Sequence, residues 1–321
     1  MDKELIRWLC ESLALHIREL VRPRLGKASS RKVERRGSSG DSTFSIDEAA
    51  ESLVQEYLRD YPQVAYYSED QGLVAGPDAR LVLIIDPIDG TRPAAAGLEA
   101  CCVSVAAAAY HPELLPSPTM RDVVFGYVCE IKGDGVFYAF KGEGAHHLEN
   151  EMEQEIERIS HREISTLFWT IGFRGRPAIP LAIVLEELID RSSVDGGMFD
   201  LGSATYGITR LLTGQLHAYV DVGDRMRRDV PEVVEDFRRV GHGHVLNNSS
   251  YDLAAANLIA KEAGLVVTDA YGRPDDHYPL FGKETENQLS CVVSVDEHLH
   301  EEIIRLVDEG IERLKRFYAS R

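Results

Sequence analysis

Leu81-Val-Leu-Ile-Ile85, followed by Asp86-Pro87-Ile88-Asp89-Gly90-Thr91, is the stretch on which the reading of this chain turns. An unbroken apolar run predicts a strand buried on both faces, and one that stops abruptly in carboxylates predicts a site at its end. Asp86 and Asp89 bracket the carbonyl of Ile88, which Pro87 helps to hold in a turn, so hard oxygen donors crowd into a very short segment. Hard oxygens suit magnesium. Gly90 has no side chain, so backbone N–H groups can approach a phosphate closely there, and Thr91 adds a hydroxyl.

Working outward, further acids stand at the ends of predicted elements. Glu69 follows the predicted strand Val64–Tyr67. Ser45-x-x-Glu48 has capping-box spacing and predicts a helix from about Ile46 to Arg59 with Asp47 in its first turn. Asp252 lies in the first turn of a helix predicted over Tyr251–Ala263 and capped by Ser249 or Ser250, where the helix end favours an ionised carboxylate. Glu69, Asp86, Asp89 and Asp252 can thus converge on a pair of metal ions of the kind that activate water and hold a phosphoryl group. If Asp47 accepts a hydrogen bond from the Thr91 hydroxyl, that hydroxyl can orient the attacking water. The expected chemistry is hydrolysis of a phosphate monoester.

The rest of the chain predicts alternating helices and strands. Ile6, Leu9, Leu13, Ile17 and Leu20 form one face of an opening helix that Pro23 terminates. Residues 26–41 are rich in Ser, Gly, Lys and Arg and are expected to be a mobile basic loop. Strands are expected at Val103–Ala109, Val123–Ile131 and Val136–Phe140, the last two joined as a hairpin around Lys132-Gly-Asp-Gly135. The acidic stretch Glu149–Glu157 is expected to lead into a second half, dividing the chain into residues 1–160 and 161–321. That half predicts helices at Ala178–Asp190, Gly202–Thr213 and Tyr251–Ala263, strands at Leu216–Val222, Leu265–Thr268 and Cys291–Ser294, and a closing helix carrying Leu299, Ile303, Leu306, Val307, Ile311 and Leu314. The fold class is therefore α/β (α+β).

Composition narrows the function. The 321 residues carry 35 Lys and Arg against 53 Asp and Glu, a net charge of −18, which disfavours a nucleic-acid or membrane-surface partner. Five cysteines without a C-x-x-C pair form neither a disulfide nor a zinc framework, and no apolar run is long enough for a span, so a cytoplasmic location is expected. His146-His147 and His242-x-His244 lack zinc-ligand spacing and are expected as solvated loop residues.

Taken in order, Asp41-x5-Asp47, Ser68-Glu69-Asp70, Asp86-Pro-Ile-Asp-Gly-Thr91, Gly202-Ser-Ala204 and Tyr251-Asp-Leu-Ala-Ala-x3-Ile-x2-Glu-Ala-Gly264 resemble the inositol monophosphatase and fructose-1,6-bisphosphatase superfamily. The resemblance implies an α-β-α-β-α layered sandwich and usually a homodimer. It implies metal ligation by Glu69, Asp86, the Ile88 carbonyl, Asp89 and Asp252, with Asp47 and Thr91 as the water-activating pair and Gly90 and Thr91 binding phosphate. Two or three magnesium ions would serve, with manganese as a substitute. Asp221 resembles the acid that touches a polyol hydroxyl, and Ser203 lies in a motif of the same site. Arg225 and Arg228 fall in an insertion, roughly Gly223–Asn248, between two site segments, and are further substrate-binding candidates expected on the rim. Pro93-Ala94, Tyr251 and Phe44 depart from the family pattern. The expected substrate is a small polyol or sugar phosphate such as inositol 1-phosphate or fructose 1,6-bisphosphate. The alternatives are a 3′-phosphoadenosine nucleotide phosphatase, or a phosphate-sensing scaffold without turnover.

Overall fold

The computed structural model describes residues 2–31, 33–36, 42–112, 117–282 and 284–320, with backbone alone for 33–36 and 42–44. Near the N-terminus, β1 (Val33–Arg36) pairs antiparallel with β2 (Ser42–Phe44). The first large sheet contains β3 (Val64–Ser68), β4 (Gly72–Val74), β5 (Leu81–Asp89), β6 (Cys102–Ala109), β7 (Val123–Glu130), β8 (Val136–Phe140), β9 (Ala145–Glu149) and β10 (Met152–Gln154), ordered β10-β9-β8-β7-β6-β5-β3-β4. Only β3 and β5 run parallel in it. The second sheet, ordered β12-β11-β13-β15-β14, contains β11 (Phe168–Ile171), β12 (Gly197–Phe199), β13 (Ala218–Asp221), β14 (Val266–Thr268) and β15 (Cys291–Ser294).

Helices fill three layers around these sheets. On the outer face of the first sheet lie α1 (Lys3–Val21) and α2 (Ser45–Leu58); α3 (Thr91–Ala96) is a short helix after β5. The outer face of the second sheet is covered by α4 (Ala178–Arg191) and α9 (Glu297–Ala319), with α6 (Gly223–Asp229) and α7 (Val234–Val240) contributing to the same apolar core. Between the sheets lie α5 (Ala204–Leu212) and α8 (Ser250–Glu262), giving the expected α-β-α-β-α sandwich. The expected division at residue 160 falls between the sheets, yet α5 and α8 from the second half pack on strands of the first.

The unbroken apolar run of β5 is explained by burial on both faces. Leu81, Leu83 and Ile85 join the core under α1 and α2, whereas Val82 and Ile84 join the core under α5 and α8. α8 sits unusually close to β7, because Gly126 has no Cβ: one built there would lie 2.8 Å from the Ala255 carbonyl oxygen.

Several expectations are corrected. Ala28–Arg31 forms a 3-10 turn docked on α3, with Gly26 N–H donating to the Ala94 carbonyl (3.0 Å) and Arg31 Nε to the Ala95 carbonyl (2.9 Å), so this part of the expected mobile loop is packed. Residues 37–41, Asp41 included, lie outside the described residues. The acidic stretch at 149–157 is largely a hairpin arm: β9 and β10 extend the first sheet around Asn150 and Glu151, both at positive φ, a conformation Asn tolerates well. His146 and His147 therefore stand on a strand, stacked on Tyr138 and Phe137.

Gly126→Ala is expected to force α8 outward and destabilise the protein by about 1–3 kcal/mol, measured by urea unfolding. An unchanged midpoint would show that the close helix–sheet approach is dispensable.

Candidate active site

The carboxylates of the Asp86-Asp89 segment reach one side of β5 because the strand does not end where the apolar run ends. It continues to Asp89 with a register shift, Asp86 pairing with Ser104 and Asp89 with Cys102. In a regular strand, residues three apart face opposite sides. One extra residue in the bulge restores parity. Accordingly Ile88 joins Ile85 in the core under α1 and α2, while Asp86 and Asp89 line the cleft on the other side. The expected turn is thus a β-bulge, a place where the missing N–H of Pro87 is tolerated.

Each aspartate has one oxygen fixed by local donors. Asp86 Oδ1 accepts from the Ile88 N–H (3.1 Å). Asp89 Oδ2 accepts from Ser203 Oγ (2.8 Å) and from the Thr205 N–H in the first turn of α5 (2.6 Å). Asp252 Oδ2 accepts from the N–H of Ser249, the N-cap of α8 (2.7 Å). Asp252 is therefore a helix-capping residue that also lines the cleft. Thr205 Oγ1 donates to the Asp252 carbonyl (3.1 Å) and so ties the starts of α5 and α8 together.

Glu69 sits in the β3–β4 turn and lines the same cleft. Burial, followed by the charges of Asp89, Asp252 and Glu69, holds the Asp86 carboxyl well above its usual range. Asp252 is raised in the same way by burial and then by Glu69. Among the described residues, no three His, Cys, Asp or Glu side chains close on one point as they stand. The donor set nevertheless suits a hard cation: it is all oxygen, densely anionic and already oriented by neighbouring donors.

Gly90 adopts φ +90°, and a Cβ there would lie 2.3 Å from the Ala100 carbonyl oxygen and 2.9 Å from Ser203 Cβ, so only glycine fits. It is the N-cap of α3, whose first-turn N–H groups lack intrahelical acceptors. Thr91 Oγ1 donates to the Ile88 carbonyl (3.1 Å). Asp47 lines the cleft from the first turn of α2.

The substrate-side candidates fare differently. Ser203 lines the cleft, but its hydroxyl donates to Asp89 and accepts from the Tyr206 N–H (3.1 Å), capping α5. Asp221, expected to touch substrate, is wholly buried at the end of β13. It pairs with Arg176 and accepts from Asn248 Nδ2 (2.8 Å) and the Gly223 N–H (2.9 Å), so it supports the cleft wall from behind. Arg225 is buried against the Ala270 carbonyl and Asp308 (both 2.5 Å) and Arg228 is held by Asp224 (2.5 Å); neither lines the cleft. The 223–248 segment is anchored in the core by Met226, Val230, Val233 and Phe237, and of its residues only Leu246, Asn247 and Asn248 line the cleft.

Arg174, Arg176, Asp200, Gln288 and Glu51 also line the cleft and escaped the sequence reading. Arg174 and Arg176 follow the unrecognised strand β11, for which the apolar run Phe168–Ile171 ahead of Gly172 was the available signal. Glu51 lies one turn after Asp47, an i, i+4 spacing that places both on one helix face. Burial lifts its carboxyl to about 7, with the Ser68 hydroxyl opposing and the Asp70 charge assisting.

The profile of the inositol monophosphatase family matches residues 2–312. The chain belongs to the inositol monophosphatase family. It is 24% identical over 301 residues to the fructose-1,6-bisphosphatase/inositol-1-monophosphatase of Methanothermobacter thermautotrophicus, covering 92% of this chain and 94% of that one. It is also 24% identical to a bifunctional NADP phosphatase/NAD kinase of Methanocaldococcus jannaschii, over 89% of this chain and 47% of the relative. In fold it is similar to the Thermotoga maritima IMPase, with a TM-score of 0.67 at 19% identity across 98% of this chain and 100% of the other. As a member of the inositol monophosphatase family it is a phosphatase, a phosphoric monoester hydrolase. The family is in general metal-dependent.

With a chelator present, Asp86→Asn is expected to raise Tm by on the order of 2–4 °C, because it removes one of the mutually repelling charges, while the stabilisation that magnesium gives the wild type shrinks. Differential scanning calorimetry with and without magnesium tests both halves; a lower Tm in chelator would deny that repulsion governs the cleft.

Proposed function

We propose that the protein is a magnesium-dependent phosphomonoesterase acting on a small polyol or sugar phosphate. The observation that carries this reading is the placement of Asp86, Asp89, Asp252 and Glu69 on one cleft beside the Gly90-Thr91 backbone. Glu69, Asp86, the Ile88 carbonyl, Asp89 and Asp252 would hold magnesium. The bound ions supply positive charge that neutralises the phosphate and the charge developing as the ester breaks.

The chain's own groups account for the remainder. Backbone N–H groups at Gly90 and Thr91 bind phosphate oxygens, and the starts of α5 and α8, whose first-turn N–H groups are already spent on Asp89 and on the Ser203 and Ser249 caps, border the same cleft. With its proton held on the Ile88 carbonyl, Thr91 Oγ1 presents lone pairs to an attacking water, and Asp47 accepts the proton that this water releases. The water oxygen joins phosphorus, the P–O bond to the alcohol breaks, and the leaving alcohol takes up a proton. Opposite, Arg174, Asn247 and Gln288 offer donors and acceptors to the hydroxyls of the alcohol. At about 110 Å³ the cavity suits a compact polyol better than a nucleotide, since drug-sized ligands need roughly 300 Å³ or more.

Phosphate release is to be compared for inositol 1-phosphate, fructose 1,6-bisphosphate, NADP and 3′-phosphoadenosine 5′-phosphate with magnesium. The polyol and sugar esters are expected to turn over fastest; preference for either nucleotide would overturn the substrate class. Thr91→Ala is expected to lower kcat ~10²–10⁴-fold while keeping the stabilisation by magnesium.

Asp229, which follows Asp221 at a short spacing, is the rival to Asp252 as the last metal ligand, but the structure engages it with Arg225 (3.3 Å) and the Tyr271 hydroxyl (2.8 Å) away from the cleft. Asp252→Asn is therefore expected to raise the magnesium requirement at least tenfold, and Asp229→Asn to leave it unchanged. The opposite ranking in a magnesium titration would place the ligand on α6.

A further inference from the structure

Glu51 is almost entirely buried, 4% exposed, in a cleft wall where an apolar residue would pack without the cost of desolvating a carboxyl. Its contacts indicate why an acid stands there. Ser68 Oγ donates to Glu51 Oε2 at 2.7 Å, and the backbone N–H of Asp70 donates to the same carboxyl. These partners are the residues on either side of Glu69. Ser68 is itself fully buried at the end of β3, and its hydroxyl also faces the Gln71 N–H at 3.4 Å, so the whole β3–β4 turn is organised around this pair.

We propose that Glu51 is a positioning residue for Glu69, bracketing it through Ser68 and Asp70 so that the Glu69 carboxylate is aimed into the cleft before any ion binds. The inference rests on the reading of Glu69 as a metal ligand. A glutamate in a three-residue turn has three side-chain torsions and a turn backbone to immobilise; fixing the backbone on both sides removes the larger part of that freedom before binding. Because Glu51 and Asp47 occupy successive turns of one face of α2, the same helix sets both the ligand turn and the residue proposed to receive the water's proton. A shift of α2 would move the two together.

Glu51→Gln keeps the shape but turns one carboxyl oxygen into an N–H donor and removes the charge, so the hold on Ser68 and Asp70 is weakened. Magnesium binding by isothermal titration calorimetry, thermal unfolding in chelator, and steady-state kinetics are to be measured on the full chain for Glu51→Gln, Ser68→Ala and Glu69→Gln. Outer-sphere partners of a metal typically alter affinity 10–100-fold. Glu51→Gln is expected to weaken magnesium binding at least tenfold with wild-type stability in chelator, unchanged KM for the ester and kcat restored at saturating magnesium. Ser68→Ala, which removes one donor with little change in volume, is expected to weaken it in the same direction by less, and it stands as the test if Glu51→Gln does not fold. If Glu69→Gln weakens binding and both other variants bind magnesium like the wild type, the positioning role is overturned. If Glu69→Gln itself binds magnesium normally, the reading of Glu69 as a ligand fails instead.

Discussion

The structure depends on forcing several carboxylates to face one another at the start of the central helices. Two unit charges about 4 Å apart repel by on the order of 4 kcal/mol at an effective dielectric near 20, whereas a single hydrogen bond contributes only about 1 kcal/mol. The donors at Ile88, Ser203, Thr205 and Ser249 therefore orient the aspartates without neutralising them. Protonation or a cation must balance what remains. Most of the surrounding architecture is understandable as a rigid frame that prevents these side chains from turning away.

That frame has two sides. The bulge in β5 supplies the first, because it sets Asp86 and Asp89 on the same face with no loop between them. The central layer supplies the second: α5 holds Asp89 at its first turn and grips α8 through the Thr205 to Asp252 hydrogen bond. Farther along the cleft, the buried Asp221 to Arg176 pair and its bond to Asn248 do for the opposite wall what the capping bonds do for the acids. A buried ion pair is a poor source of net stability, so shaping of this wall is the better account of it.

The parts of this arrangement that were legible in sequence are those written as local patterns. The apolar run at Leu81–Ile85, the first-turn position of Asp47 and the capping segment before Asp252 each follow from a short stretch of residues. What escaped was set at a distance. Asp221 looks from its neighbours like any acid at a strand end; only the arrival of Arg176 and Asn248 from elsewhere shows that it is consumed beneath the surface. Arg225 and Arg228 lie in a polar-looking segment, yet interleaved Met226 and Val230 pull that segment into the core and leave the arginines to neutralise Asp308 and Asp224. Short edge strands such as β4 and β10 carry too few residues for an alternating pattern to stand out. Glu51 was available from its spacing to Asp47, but nothing in the sequence distinguishes a buried helix acid from a solvated one.

The sandwiching of α5 and α8 between the sheets bears on how proteins of this build can be recombined. The two helices are encoded in the second half of the chain but bury apolar side chains of Val82, Ile84 and Val128 from the first. A chimaera joined between the sheets would thus inherit a mismatched interior even when both parents share the same backbone. Gly126 sharpens the restriction, since a parent whose strand carries any side chain at that place needs a helix seated farther out. Exchange of segments is better tolerated on the outer helices, where each layer has a single inward partner.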